Sequence, residues 1–221
     1  MSTVAYEIGI VESRLFAENC YLVHLEGRTD CLVIDPGLDP GEIMDWLDER
    51  KLKPAAILNT HGHADHIAGN NTLKERWPDV PLMIGHGDAS KLTDPDGNLS
   101  SAYGVPFRSV PADRLVREGE RLSLAGLDLE VLETPGHSSG HVVFVWKEPA
   151  PWIVFGGDVL FAGGIGRTDF PDGNHADLVA SIRRKLFPMP DDTQVLPGHG
   201  PTTTIGEERR FNPFVGEQAS G

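Results

Sequence analysis

The chain has 221 residues, with 33 acidic against 19 basic side chains and a formal net charge of −14. That length suits one domain, residues 1–221, able to bury a core without staples, and the 39% apolar content excludes a disordered, tail-like chain. No apolar run approaches the ~20 residues that span a bilayer, and the acidic excess speaks against broad nucleic-acid binding, which needs Lys and Arg on phosphates. The N-terminus has neither a basic start nor a long apolar stretch, so no secretory signal is expected. Cys20 and Cys31 fall far apart on a hairpin turning near residue 28, so no disulfide is expected and the chain reads as cytoplasmic. Nine histidines are the one count that asks for an explanation.

In chain order, Val4–Ile10, Cys20–Leu25 and Cys31–Ile34 read as strands, the last closing on the turn Asp35-Pro36-Gly37. Glu42–Arg50 places Ile43, Trp46 and Leu47 at helical spacing after Pro40-Gly41. Ala55–Leu58 is a short buried strand running into Asn59-Thr60-His61, and a helix from about His66 to Trp77 stops at Pro78. Pro81–Ile84 is a further strand. Residues 86–112, punctuated by Gly and Pro, form a long irregular excursion of the kind that shapes a site. Arg121–Leu124, Leu127–Leu132, Val142–Trp146 and Trp152–Phe155 read as strands, Asp177–Leu186 as an amphipathic helix, and Thr193–Leu196 as a last strand. Two successive halves of strands followed by a helix make an α/β sandwich.

Thr60-His61-Gly62-His63-Ala64-Asp65-His66 places three histidines and an aspartate in six residues directly after a buried strand. His61 and His63, two apart, can reach one ion; Asp65 and His66, at the helix start, can face a second point nearby. Imidazole nitrogen and carboxylate oxygen suit zinc, iron or manganese. Three further candidates stand at strand ends beside small residues: His137 in Pro135-Gly136-His137, Asp158 after Gly156-Gly157, and His199 in Pro197-Gly198-His199-Gly200. Together they supply seven ligands, enough for two ions.

The His-x-His-x-Asp-His motif, with the later His, Asp and His at strand ends, resembles the metallo-β-lactamase-fold hydrolases and, within them, the glyoxalase II-like (hydroxyacylglutathione hydrolase-like) branch, over residues from about 4 to 212. The resemblance implies an αββα four-layer sandwich with two divalent metals, zinc first and iron or manganese as alternatives, at one edge between the sheets. It assigns His61, His63 and His137 to one ion and Asp65, His66 and His199 to the other, with Asp158 bridging both. It further implies hydrolysis of a small-molecule thioester such as S-lactoylglutathione by a metal-bound hydroxide, with Asp65 and Asp158 as the catalytic carboxylates and no Ser or Cys nucleophile. Nucleic acid and membrane are not expected partners.

Other readings share these residues. A persulfide dioxygenase would use one iron on His61, His137 and Asp158, and a lactonase or other ester hydrolase would use the whole set. Asp35 is a candidate for supporting the metal loop through hydrogen bonds, beside its simpler reading as a turn residue. Gly166-Arg167-Thr168-Asp169-Phe170 resembles a segment of one glyoxalase II-like subgroup and of the persulfide dioxygenases. There Arg167 either pairs with a substrate carboxylate or closes a network with Asp169. His141 reads as a packed neighbour of His137; His24, His86 and His175 lack ligand spacing. Longer glyoxalase II enzymes carry a helical C-terminal domain that supplies much of the glutathione site, whereas this chain ends soon after Pro213. Glutathione recognition would then fall to residues 86–112 and the Arg167 region, or the thiol differs.

Overall fold

The computed structural model describes residues 5–219; Val4, the expected start of the first strand, lies outside them. The first half runs β1 (Tyr6–Glu12), β2 (Asn19–Leu25), β3 (Asp30–Ile34), α1 (Pro40–Arg50), β4 (Lys53–Asn59), α2 (Ala64–Ile67), α3 (Asn70–Arg76), β5 (Leu82–Gly85) and β6 (Arg114–Val116). Its six strands pair in sequence order, antiparallel from β1 to β3 and parallel from β3 to β6. The second half runs β7 (Arg121–Leu124), β8 (Leu127–Glu133), β9 (Val142–Trp146), β10 (Ile153–Gly157), a small hairpin of β11 (Leu160–Phe161) and β12 (Gly164–Ile165), α4 (His175–Ser181), β13 (Gln194–Pro197), β14 (Thr203–Thr204) and α5 (Ile205–Phe211). Its main sheet has the order β14-β13-β10-β9-β8-β7, with only β10 and β13 parallel.

Strands buried on both faces lose the polar alternation of a half-exposed sheet, which is why so many here read as unbroken apolar runs. Alternate residues nonetheless divide cleanly. Tyr21, Val23, Leu32, Ile34, Ala56 and Leu58 of the first sheet meet Leu129, Val131, Phe144, Trp146 and Phe155 of the second in one core. Their neighbours Leu22, Val33 and Ile57 face outward onto Ile43, Leu47, Ile67 and Leu73 of the helices. On the opposite side Val143, Val145, Val154 and Val195 pack under Leu178, Ile182 and Ile205. The result is helix, sheet, sheet, helix, as the resemblance implied. Cys20 and Cys31 are buried and unpaired, and among the described residues no helix is long and apolar enough to cross a membrane.

The expected helix from His66 to Trp77 is two pieces. The Gly69 amide, which a continuous helix would direct back along its own turn, donates instead to the Pro36 carbonyl (2.8 Å). The Asn70 side chain, through Nδ2, donates to Asn59 Oδ1 and Ser109 Oγ and anchors the start of α3. β6, β14 and the β11–β12 hairpin, two or three residues each, carried no periodic signal. Residues 86–112 are irregular as expected, with 3₁₀ turns at Ala89–Thr93 and Ser100–Tyr103.

Candidate metal centre

Parallel strands deliver their C-terminal ends to the same edge, and here both sheets do so at one place. β4 ends in Thr60-His61-Gly62-His63, β10 in Asp158 and β13 in His199, while the β8–β9 connection carries His137. The Asn19 amide donates to the Gly198 carbonyl (2.7 Å) and the Tyr21 hydroxyl to the Pro197 carbonyl (2.7 Å), which pins the His199 loop to the opposite sheet. Glycine is required where the backbone closes on the site. A Cβ at Gly198 would run into Asp158 Oδ1 and sit 2.7 Å from His66 Cε1, and Gly157 has φ +47° with Thr60 Oγ1 and His141 against it.

All seven expected ligands come together. Donor atoms of His61, His63 and His137 lie within 4.8 Å of one another, as do those of Asp65, His66 and His199, and those of His61, His66 and Asp158. Asp158 sits between the groups, its Oδ2 3.5 Å from both His137 Nε2 and His199 Nε2 and its Oδ1 3.4 Å from His66 Nε2. The outer ring nitrogens are committed elsewhere. His137 Nδ1 donates to the Arg167 carbonyl (2.8 Å) and His199 Nδ1 to the Phe16 carbonyl (3.1 Å), while His66 Nδ1 meets Asp35 Oδ2 (3.2 Å). Protons held on those outer nitrogens leave the Nε2 lone pairs turned inward, the arrangement of metal-bound histidine. His137 Nε2 and His63 Nδ1 are 2.9 Å apart. His61 Nε2 and Asp158 Oδ1 are buried with no hydrogen-bond partner among the described residues. Uncompensated buried polar atoms are costly, and a shared cation satisfies them at once. Five imidazoles and two carboxylates therefore fit divalent ions of the zinc, iron or manganese type.

Asp35 supports this loop. Its carboxylate accepts from the Thr60 amide (2.7 Å), from Thr60 Oγ1 (2.6 Å) and from His66 Nδ1. Thr60 Oγ1 is in turn 3.1 Å from His61 Nδ1, so one aspartate orients a histidine in each group. His141 stacks on His61 with ring centroids 4.9 Å apart. Its Nε2 accepts from the Asp158 amide (3.1 Å), and its Nδ1 lies 3.0 Å from Thr134 Oγ1.

Sequence reasoning missed a second buried network. Asp88 accepts from the Gly62 amide (2.8 Å), the Gly140 amide (2.8 Å) and Ser138 Oγ. Lys91, also buried, reaches Asp88 (3.2 Å), Asp172 (2.6 Å) and Ser138 Oγ. These four side chains clamp the His63 and His137 loops together. Apart from the Asp88–Lys91 pair, three residues apart, the partners lie 26 to 81 residues apart, so no local motif could announce the network. Glu18, fully buried behind His66, was likewise unmarked, and burial pushes its carboxyl well above the usual range.

Burial, reinforced by neighbouring imidazoles, holds His61, His63 and His141 well below the ordinary imidazole range, and burial lowers His137 too. These rings are neutral, the ligating form. Burial works against ionisation of Asp65, but His66 and His199 outweigh it and hold the carboxyl low. The same pairing, against burial, raises His66 and His199, so a metal ion there competes with protons.

The cluster floors a cavity of about 650 Å³. Leu15, Phe16, Leu99, Tyr103, Phe161 and Phe170 contribute to its walls, and Phe170 stands edge-on to His63 and His137. Arg167 also lines it, but its guanidinium is bidentate to Asp169 (2.9 and 2.8 Å) and lies over the Phe170 ring. The network with Asp169 is formed, between side chains that are both exposed at the cavity mouth.

The chain belongs to the metallo-β-lactamase superfamily, whose family model matches residues 13–199; that fold binds divalent metals, and its members include metal-dependent hydrolases. Among relatives, it is 36% identical over 214 residues to hydroxyacylglutathione hydrolase GloC of Haemophilus influenzae, covering 96% of this chain and 99% of that one. It is 41% identical over 186 residues to the probable metallo-hydrolase YqgX of Bacillus subtilis, covering 84% and 87%. Among solved structures, BLEG-1 B3 metallo-β-lactamase superposes with a TM-score of 0.89 at 34% identity, covering 95% of this chain and 99% of that one. TTHA1623 in a di-iron-bound form superposes at 0.81 with 39% identity, covering 93% and 99%.

Proposed function

We propose that this protein is a dinuclear metal-dependent hydrolase that cleaves a thioester, in the manner of glyoxalase II. The observation that supports it is the donor constellation itself: two triads, His61/His63/His137 and Asp65/His66/His199, with Asp158 between them, on the floor of an open cavity. In this reading each triad holds one ion and Asp158 touches both. Bound divalent ions supply Lewis acidity toward a carbonyl oxygen and lower the pKa of water to about 7, giving a nucleophile at neutral pH.

The chain's own groups do the rest. Asp65, held ionised, accepts a hydrogen bond from the attacking water and directs its lone pair toward the carbonyl carbon; Asp158 fixes the spacing of the two triads. Asp35 and the Arg167 and Phe16 carbonyls keep protons off the inward ring nitrogens. Thiols ionise at about pH 8.5, so a thiolate leaves with little help from a proton donor. Ser138, the serine beside His137, is buried in hydrogen bonds to Asp88 and Lys91, which supports direct attack by water over an acyl-serine route.

The relationship to GloC supports the thioesterase reading, while the B3 metallo-β-lactamase neighbour shows that such a scaffold serves other bonds. The deciding experiment is metal analysis of the purified protein, with parallel assays of thioester hydrolysis and persulfide-dependent oxygen uptake. Thiol release without oxygen uptake, on protein holding two ions per chain, is the expected result. Oxygen uptake without thioester cleavage, on a single iron, would replace the hydrolase by the dioxygenase. Cleavage of lactones or simple esters alone would move the assignment to those bonds.

A further inference from the structure

The cavity above the metal centre has predominantly apolar walls. Leu15 and Phe16 come from the β1–β2 turn, Leu99, Tyr103 and Val105 from residues 86–112, and Phe161 and Phe170 from the stretch after β10. Phe16 and Tyr103 bridge two of these walls edge-to-face, with centroids 5.3 Å apart. The apolar character continues outward to the rim, where Leu15 is 75%, Val105 71% and Tyr103 58% exposed. Large apolar side chains left in water around a concave site mark a surface that an apolar ligand covers.

Two of the polar side chains in the walls, Asn98 and Ser100, are turned to the backbone. Asn98 donates to the Lys91 and Phe107 carbonyls, and Ser100 Oγ accepts from the Phe107 amide. Arg167 is the one Lys or Arg among the lining residues, and Asp169 pairs with its Nε–Nη2 edge and neutralises its charge. A glutathione conjugate would bring two carboxylates and an ammonium to these walls. Among the described lining residues the one cation, Arg167, is already neutralised by Asp169, so the desolvation of two carboxylates would be poorly compensated. An alkyl or aryl chain has no such penalty and gains by leaving water.

We infer that the substrate is an uncharged thioester with an apolar acyl chain, the chain lying against Leu99, Phe161 and Phe170 while the carbonyl meets the metal centre. The inference rests on the hydrolase reading above and narrows it. It assigns glutathione conjugates to the poor substrates of this enzyme, although a relative is named for hydrolysing one.

The test uses metal-loaded protein and thiol release from N-acetylcysteamine thioesters, acetyl through octanoyl and phenylacetyl, beside S-lactoylglutathione. The expected result is a kcat/KM rising roughly fourfold per methylene until the cavity is filled, and at least tenfold higher for octanoyl than for S-lactoylglutathione. Val105→Asp, a rim substitution at an exposed position, should raise KM for the octanoyl substrate while leaving the metal content at two ions. A second readout needs no turnover: calorimetric titration of the metal-loaded protein with 2-octanone and with S-methylglutathione, where only the ketone should bind, with a negative heat-capacity change. A flat acyl series, S-lactoylglutathione as the better substrate, or S-methylglutathione binding in preference to the ketone overturns the inference and leaves the hydrolase reading standing. Failure of fully loaded protein to cleave any thioester refutes that reading itself, and the inference with it.

Discussion

Asp35→Asn isolates the support of the metal loop with almost no change of shape. Asp35 has φ +49°, a region that Asn adopts readily and Ala does not, so Asn adds no backbone strain. The replacement has only one workable orientation. The Thr60 amide can only donate, at 2.7 Å to Oδ1, so the new carboxamide must place its oxygen there. Its NH₂ then takes the Oδ2 position, facing Thr60 Oγ1 and His66 Nδ1. Thr60 Oγ1 can turn to accept, but His66 must also accept at Nδ1, which moves the remaining ring proton to Nε2. That is the nitrogen turned toward Asp158, Asp65 and His199. A ring protonated at Nε2 cannot ligate without paying to change tautomer. Loss of such a supporting partner typically lowers metal affinity 10–100-fold, or about 1.4–2.7 kcal/mol. Stepwise zinc titration against a chromophoric chelator should show the loss on one ion, assigned here to Asp65, His66 and His199, with the other ion affected less. Unchanged affinities for both ions would show that the Asp35–His66 contact does not set the tautomer, and the reasoning would fail.

Asp158→Ala should lose most bound metal and most hydrolysis, whereas Asp65→Ala should weaken one ion selectively; native mass spectrometry counts the ions, and two ions in either purified variant would contradict the assignment. Lys91→Met leaves Asp88 buried without its cation and should destabilise the fold by about 3 kcal/mol, a fall in Tm of roughly 6–12 °C for a chain of this size; a fall of a degree or less would mean the clamp is not structural. Lys91 and the Ser139 amide, against the opposing effect of burial, hold the Asp172 carboxyl below its ordinary range. A depressed carboxylate stabilises the fold above its unfolded pKa, about 3.9, and that contribution is lost as pH falls toward the folded value. The difference in urea midpoint between the wild type and Asp172→Asn should therefore shrink on going from pH 6 to pH 3, and a constant difference would count against the Lys91–Asp172 pair.

What the sequence made legible follows from distance along the chain. His61, His63, Asp65 and His66 fall within one turn of backbone, and their proximity needs no tertiary information. His137, Asp158 and His199 were marked by the glycines beside them, and Gly157 and Gly198 do lie against side chains of the site. The buried strands were visible as apolar runs, though their faces separated only once both sheets were in place. Helix 66–77 was misread because the force that breaks it, the Gly69 amide bonding to Pro36, comes from a turn some thirty residues earlier. Lys91 carried no mark in the sequence for the same reason. Its partners Ser138 and Asp172 are distant in sequence, and burial is a property of the folded whole.

This division also explains how the centre relates to the fold. Residues on β4 and its following loop belong to one sheet, and His137, Asp158 and His199 to the other, so each proposed triad draws on both. His61 and His63 meet His137 across the sandwich, and Asp65 and His66 meet His199. Without a cation, the two sheets present inward lone pairs and unpartnered carboxylate oxygen to each other at this edge. A ligand that binds only the folded state adds RT ln(1 + [L]/Kd) to stability, and here its contacts would act across the inter-sheet seam. Metal removal should therefore lower Tm and loosen the edge carrying Asp35, Thr60 and Asp158 before the opposite edge. Hydrogen exchange resolves the two: faster exchange confined to the opposite edge would be incompatible with ions seated between the sheets.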